Sequence, residues 1–522
     1  MKKLFTALFI TIISQLCFSQ TTWYVSNSGS NSNTGITSLN PFKDINHALS
    51  VATCGDSLYV SSGTYHEKIQ AIALCPENNR IVIQGDIIQK PLIIGDSIPT
   101  NKYAVSANGS GYYFRNLTMT SPYPTQCSQS NQVIVGSGDH FTFDEITVFN
   151  SGYDGIKTYG DCNTNDFALN WKIINSEIYN CGLGCPASIV NGDGIDFTQC
   201  RNCSIDNSIV RDNKGHQLQI KLEAKNVTVT NSHFEGTHLF QIGLPGAVAQ
   251  CDPNNFNADS VNFTGNTIIA KGDTSEFIFK LADVRHLTIH NNTIIKDSIG
   301  SINVGFICFG GCTGASAWTN TPTAPVSIKS NIFANYSSTN FEYGADTTFF
   351  DPFNIFGTEV TADYNLFYDL NGQIINSIDN GSNSSVANPL FCDYPVSFEL
   401  QSGSPCIDNG DPSLPLDPDN SQNDIGAKYY QNPCGTNSIF ELDDASNFLH
   451  IYPNPSKGKL TIDSPLDGSL VLLNSTGQVV YRQNIMTGLN QLRIDKLSKG
   501  MYIAMVENNS GFVVEIKKII KN

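Results

Sequence analysis

Apolar and polar positions alternate along this chain in a short pattern that recurs at intervals far larger than the pattern itself. Read as octets, the copies run YYFRNLTM from Tyr112, FTFDEITV from Phe141, WKIINSEI from Trp171, CSIDNSIV from Cys203, VTVTNSHF from Val227, VNFTGNTI from Val261, LTIHNNTI from Leu287, VSIKSNIF from Val326 and VTADYNLF from Val360. Their starts are 29, 30, 32, 24, 34, 26, 39 and 34 residues apart. The first, third and eighth positions are mostly apolar and the second mostly polar, which predicts a strand with one buried face. Asn, Asp or Gly follows within a few residues, as in FNSGYDG, VRDNKG and IAKGD, and predicts a turn. Units of strand and turn without a helix bury nothing alone, so they must stack into a continuous core. Intervals this short are too small for propeller blades of roughly 40 to 50 residues. They fit the coils of a right-handed parallel β-helix, an all-β solenoid.

A second short strand follows each turn. DGIKTY starts at Asp154, DGIDFT at Asp193, HQLQIK at His216, HLFQIG at His238 and EFIFKL at Glu276. With Ile156, Ile195, Leu218 and Phe240 pointing inward, Lys157, Asp196, Gln219 and Gln241 stack outward in one column. Thr198, Lys221 and Gly243 form the column beside it, and Lys280 falls nearby. Coils lie about 4.8 Å apart, so these groups make a single polar, ionisable strip.

Composition narrows the setting. A hydrophobic fraction of 40% with 15% charged residues excludes a disordered chain. No amphipathic helix exceeds INHALSVA near Ile45, and no stretch outside the N-terminus approaches the length of a membrane span. Met1 to Ser19 has the charged, apolar, small-residue order of a secretory signal peptide cut after Ser19. Its loss takes Cys17 and leaves 14 of 15 cysteines, an even number that predicts disulfides in an exported chain. The close pairs Cys181/Cys185 and Cys200/Cys203 also have a zinc-like spacing, but the compartment favours disulfides. The formal net charge of −17 argues against nucleic acid as a partner.

Trp23 to Glu67, with PFKDINHAL and SLYVSSGTYHE, resembles the opening cap and first coil of secreted right-handed parallel β-helix proteins. Asn388 to Tyr430 resembles the closing coil of the same class, its acidic run Asp411, Asp417, Asp419 and Asp424 reading as a solvated or Ca²⁺-pinned loop. Residues 431–448 read as a linker. Residues 449–522, with Tyr452-Pro453-Asn454-Pro455, Leu497-Ser498-Lys499-Gly500-Met501-Tyr502 and the basic end at Lys517 and Lys518, resemble the C-terminal sorting domain of type IX secretion substrates. That resemblance implies a small β-sandwich, handling by the type IX machinery and a secreted or cell-surface location. The domains expected are therefore residues 1–19 signal peptide, 20–430 β-helix, 431–448 linker and 449–522 sorting domain.

Polysaccharide lyases share the β-helix architecture, and export suits a polymer too large to import. β-Elimination on a uronic-acid polymer needs a base for the C5 proton and a cation beside the carboxylate. Lys221 is the candidate base, with His216 the alternative. Asp154, Asp193 and Asp196 are candidate ligands for Ca²⁺. Lys157, Gln219, Gln241, His238 and Lys280 are candidate substrate contacts. Arg211 is the nearest candidate for an arginine partner, and Tyr153, Tyr159 and Phe167 for stacking on sugar rings; Trp171 reads as core. Two other classes stand beside the lyase. One is a non-catalytic adhesin or glycan-binding solenoid whose corner residues merely cap turns. The other is a glycoside hydrolase working through a carboxylate pair such as Asp193 and Asp196.

Overall fold

A computed structural model describes residues 20–95, 103–161, 164, 166–186, 192–243, 257–271, 278–281, 284–296, 307–309, 325–334, 341–343, 360–368, 381–394, 397–431, 434, 450–452, 455–464, 468–474, 478–486, 488–508 and 513–522. The chain divides into two units, Met1–Thr436 and Asn437–Asn522. The signal-peptide stretch, most of the linker and Glu276 lie outside the described residues.

Each octet of the first unit is two strands, not one. Its first half pairs in register with the octets before and after, as Phe141 does with Tyr112 and Phe143 with both Phe114 and Ile173. Its second half joins another sheet, as Thr147–Phe149 does with Glu177–Tyr179. Between them, the fifth octet position is left-handed in all nine copies. Asn116, Glu145, Asn175, Asn207, Asn231, Asn291, Ser330 and Tyr364 have φ between 46° and 57°, and Gly265 has 72°. Asn and Gly recur there because they reach this region at least steric cost. The strands after the next turn build a third sheet. Among the described residues the three parallel sheets hold 14, 12 and 10 strands.

The core is an apolar column in each sheet. Octet positions one and three stack rings along the axis, Tyr112 on Phe141 at 5.4 Å and Phe114 on Phe143 at 5.1 Å. Trp171 is fully buried 5.2 Å from Phe141, as its octet position implies. The sixth position carries a buried hydrogen-bonded ladder. Ser232 N donates to Asn266 Oδ1, Asn266 N to Asn292 Oδ1, Asn292 N to Asn331 Oδ1 and Asn331 N to Asn365 Oδ1, each at 2.9 Å. Serines 176, 208 and 232 continue the ladder, with Ile146 N donating to Ser176 Oγ at 3.2 Å. These side chains satisfy amides that the bend removes from the sheet ladders.

The opening segment forms a helix at Ile45–Val51 and strands at Ser57–Val60 and Thr64–His66. The far end differs from a simple closing coil. After Ser385–Val386 completes the second sheet, the hairpin Phe391–Asp393 with Ser397–Leu400 and the segment to Tyr430 fold back along the coils. Gly426 N donates to Ser330 O, Ala427 N to Thr293 Oγ1 and Asp411 N to Ser330 Oγ. The outer face of the second sheet is apolar here, so Ile295 and Ile332 need the cover that Phe391, Leu400, Cys406 and Ile425 supply. The acidic run is accordingly not a solvated loop throughout: Asp411 and Asp424 are buried, Asp411 paired to Lys329 at 2.7 Å and Asp424 accepting from Asp408 N and Tyr430 N.

The second unit is a pair of antiparallel sheets. His450–Tyr452, Lys459–Ser464 and Gly488–Arg493 form one, and Gly468–Leu473, Val479–Ile485, Gly500–Asn508 and Val513–Lys521 the other. Their facing apolar residues, including Leu460, Ile462, Leu492, Leu470, Leu472 and Tyr502, share one core, the arrangement of a small β-sandwich.

Candidate functional site

The outward column of the third sheet runs Lys157, Asp196, Gln219, Gln241, Lys280 in direct register. Thr198 pairs with Lys221 in the column beside it. The inward partners Ile156, Ile195, Leu218 and Phe240 are all fully buried. Apolar residues two apart on each strand fix this register, because a one-residue slip would turn the ionisable groups into the core.

The coil corners precede these strands by two residues. Asp154 Oδ1 accepts from Asp193 N at 3.0 Å, and Asp193 Oδ1 accepts from His216 N at 2.7 Å. Each carboxylate thereby caps the amide of the equivalent residue one coil on. The glycines that follow are required by close approach: a Cβ on Gly155 would meet Gly194 O at 2.6 Å and Cys181 Sγ at 2.7 Å. Gln132 occupies the same corner one coil earlier and donates to Asp154 Oδ2 at 2.8 Å. Sequence reasoning missed Gln132, although the spacing of Gln132 to Ile134 matches that of Asp154 to Ile156.

The charges form a layered cluster. Asp196 lies beneath, 1% exposed, and holds two lysines: Lys157 as a direct ion pair and Lys221 at 3.0 Å. Thr198 Oγ1 donates to the other carboxylate oxygen at 2.7 Å, and Lys221 also donates to Gln219. Lys157 lies 3.9 Å from Asp154. The lysine side chains keep 21% and 14% exposure while the carboxylates keep about 2%, so a ligand meets ammonium groups first. Burial tends to raise Asp196, but Lys157 and Lys221 outweigh it and hold the carboxyl below its usual range. Burial tends to lower Lys157, and Asp196 and Asp154 outweigh that in turn, holding it raised. Asp154, buried and facing Asp193 and Asp196, is pushed up to about 7.

His216 completes the cluster. The ring is 4% exposed, its Nδ1 lies 3.2 Å from Asp193 Oδ1, and its Nε2 has no hydrogen-bond partner. The Asp193 carboxylate can only accept, so Nδ1 is the donor in that contact. The His238 ring stands 6.1 Å away, edge to face.

The oxygens of the three candidate Ca²⁺ ligands are largely engaged by protein groups. Calcium takes six to eight oxygens, whereas the oxygens of Asp154 and Asp196 are engaged by an amide, a Gln, a Thr and two ammonium groups, and Asp193 Oδ1 accepts from His216 N. Among the described residues no group of three or more His, Cys, Asp or Glu is arranged to hold a metal ion. The arginine expected nearby is elsewhere: Arg211 ends the second-sheet strand Ile209–Arg211, paired to Glu177 and Asp212 and lying over Tyr179. Phe167 is buried under Arg201, so it offers no sugar platform, while Tyr159 is 39% exposed.

The cysteines pair as Cys54–Cys75, Cys127–Cys185, Cys200–Cys203 and Cys392–Cys434. Cys185 thus joins Cys127, not its near neighbour Cys181, which is a buried free thiol beside Asp154 and Asp193. Cys312 and the Cys308 side chain lie outside the described residues.

Fold and C-terminal domain together define an exported right-handed parallel β-helix protein carrying a sorting domain. Residues 103–316 match the family model described as right handed beta helix region, and residues 450–522 match the secretion system C-terminal sorting domain. The sorting domain places the protein in type IX export, at the cell surface or secreted. No curated protein matches the sequence. Among solved structures, pectate lyase Pel9A aligns with TM-score 0.51 and 15% identity, over 79% of this chain and 97% of its own. A rhamnogalacturonan lyase aligns with 0.41 and 13%, over 70% and 87%. An alginate lyase from Paenibacillus sp. str. FPU-7 aligns with 0.33 and 18%, over 51% and 95%. Likeness at such identities is a likeness of fold, and the chemistry rests on this chain's own side chains.

Proposed function

We propose that the protein binds and cleaves a uronic-acid polysaccharide outside the cell, by β-elimination on the third-sheet face. The observation that carries this reading is the layering at Asp196: in a chain of net charge −17, this face presents two ammonium groups held in place by a buried carboxylate beneath them. Such an arrangement attracts an anionic sugar and neutralises its carboxylate as charge builds on the adjacent carbon. Lys221, ion-paired as an ammonium, supplies charge; the base is His216, oriented by Asp193.

In the step proposed, His216 Nε2 takes the proton from the carbon bearing the uronate carboxylate. The freed electron pair forms the C4=C5 double bond, the C4–O bond breaks, and the leaving oxygen takes a proton from water. Nε2 is covered at rest, so the step requires the groups over it to open when substrate binds while the Asp193 contact holds the ring.

One observation favours a second reading. Asp154 held at about 7 beside an ionised Asp196 is the divergent carboxyl pair that a glycoside hydrolase uses. A binding comparison tests the shared premise. Retention on a polyuronide matrix is expected to fall at least tenfold on reducing the polymer's carboxyls to alcohols, and equally in Lys221→Ala, where Lys157 still pairs Asp196. Equal retention of native and reduced polymer would contradict both the charge argument and the lyase.

A further inference from the structure

The outer face of the second sheet carries a different set of groups. Phe149 and Tyr179 stand in register and stack at 5.7 Å, both half-buried, and Arg211 lies over the Tyr179 ring at 4.6 Å. Glu235 follows Arg211 on the next coil and Ile269 follows Glu235. There the column enters a cleft of about 500 Å³ between this face and the folded-back hairpin. Ile269, Ile295, Tyr394 and Phe398 line its apolar side. Across it His233 Nε2 lies 2.9 Å from Glu235, and Lys271 pairs with the same carboxylate.

The charges of this cleft pair with one another. Burial tends to raise Glu235, but the hydrogen bonds of Lys271 and His233 outweigh it, so the carboxylate is ionised and already balanced. Lys428 and Glu399 in the lining add one charge of each sign. Arg211 on the approach is balanced by Glu177 and Asp212. The cleft therefore offers no excess cation to an anionic sugar. It offers rings and aliphatic walls for the C–H faces of a pyranose and fixed donors and acceptors for its hydroxyls, within the size range of small-ligand sites.

We propose that the track from Phe149 through Tyr179 into this cleft is a second saccharide site, taking a neutral glycan segment. The idea rests on the polysaccharide reading above, but on a different face of the same coils. It would let the protein hold a mixed polymer at neutral sugars while a uronate stretch lies on the strip.

The test titrates neutral gluco-, galacto- and xylo-oligosaccharides into the full chain by calorimetry. The expected result is saturable binding of at least one series, weakened at least tenfold in Phe398→Ala and in Glu235→Gln and unchanged in Lys221→Ala. The near-isosteric Glu235→Gln, and matching circular dichroism for all variants, guard against loss of fold. No binding across the panel, or binding that both cleft variants leave intact, overturns the proposal. Uronate cleavage is read separately, so its failure and that of the cleft are distinguishable.

Discussion

Asp154 couples the candidate site to pH. Its folded carboxyl sits at about 7 against an ordinary 3.8, chiefly through burial, so the folded state favours the protonated form. The sign follows from linkage: Asp154 costs nothing below 3.8, and the cost of burying its charge grows as pH rises to about 7, then levels off. Asp196, held low by its lysines, works oppositely and loses its contribution as pH falls through its depressed value. Asp154→Asn is expected to raise Tm relative to the wild type by more at pH 8 than at pH 5, read by thermal denaturation in both buffers. A difference independent of pH would mean that Asp154 is ionised throughout. The stacking of Lys157, Asp196, Gln219 and Gln241 was legible in the sequence, since alternation and strand starts fix the register. The layering was not: sequence alternation marks Asp196 as outward, whereas in the structure it is buried with two long lysine side chains paired to it. Calcium ligation was not legible for the same reason, because three aspartates at solenoid spacing say nothing of which amides and ammonium groups already engage them.

At the scale of elements, the octet was legible as a repeat but its bend was not. Eight residues of mixed polarity read as one strand until the fifth position is seen to be left-handed in every copy. The recurring Asn at that position, and the Ser or Asn that follows it, were the available signals. Asn207→Gly should be nearly neutral, whereas Asn207→Val should cost about 1–2 kcal/mol, because a β-branched side chain clashes in the left-handed region. Asn292→Ala should cost more, on the order of 2–4 kcal/mol, since it strips a buried acceptor from both Asn266 N and Asn266 Nδ2. Urea midpoints of the variants compare these costs directly. Closure of the solenoid was misjudged because Asn388 to Tyr430 resembles a coil in composition, while the apolar outer residues Ile295 and Ile332 that draw it back belong to earlier coils.

Across the whole molecule, stacked coils, disulfides and the sorting domain describe a protein built to act outside the cell. Cys127–Cys185 links positions 58 residues apart, and its removal as Cys127→Ala/Cys185→Ala should lower unfolding stability by roughly 2–4 kcal/mol. A reductant should produce no further loss in that unit beyond the remaining pairs. The even cysteine count made disulfides legible but not their partners: Cys200 joins its near neighbour Cys203, whereas Cys181 stays a buried free thiol. The class of molecule and its export route were readable from repeats and from the C-terminal motif together. The chemistry was only partly so, because it depends on which side chains reach the surface. The central claim is elimination on a uronate polymer with His216 as base, and ultraviolet absorbance of unsaturated uronate ends tests it most directly. Purified protein mixed with a panel of polyuronides is predicted to give a steady rise on at least one. The rise should drop at least a hundredfold in kcat in His216→Ala and show a marked loss in Lys221→Ala. No rise on any polyuronide, or an undiminished rise in His216→Ala, would contradict the account.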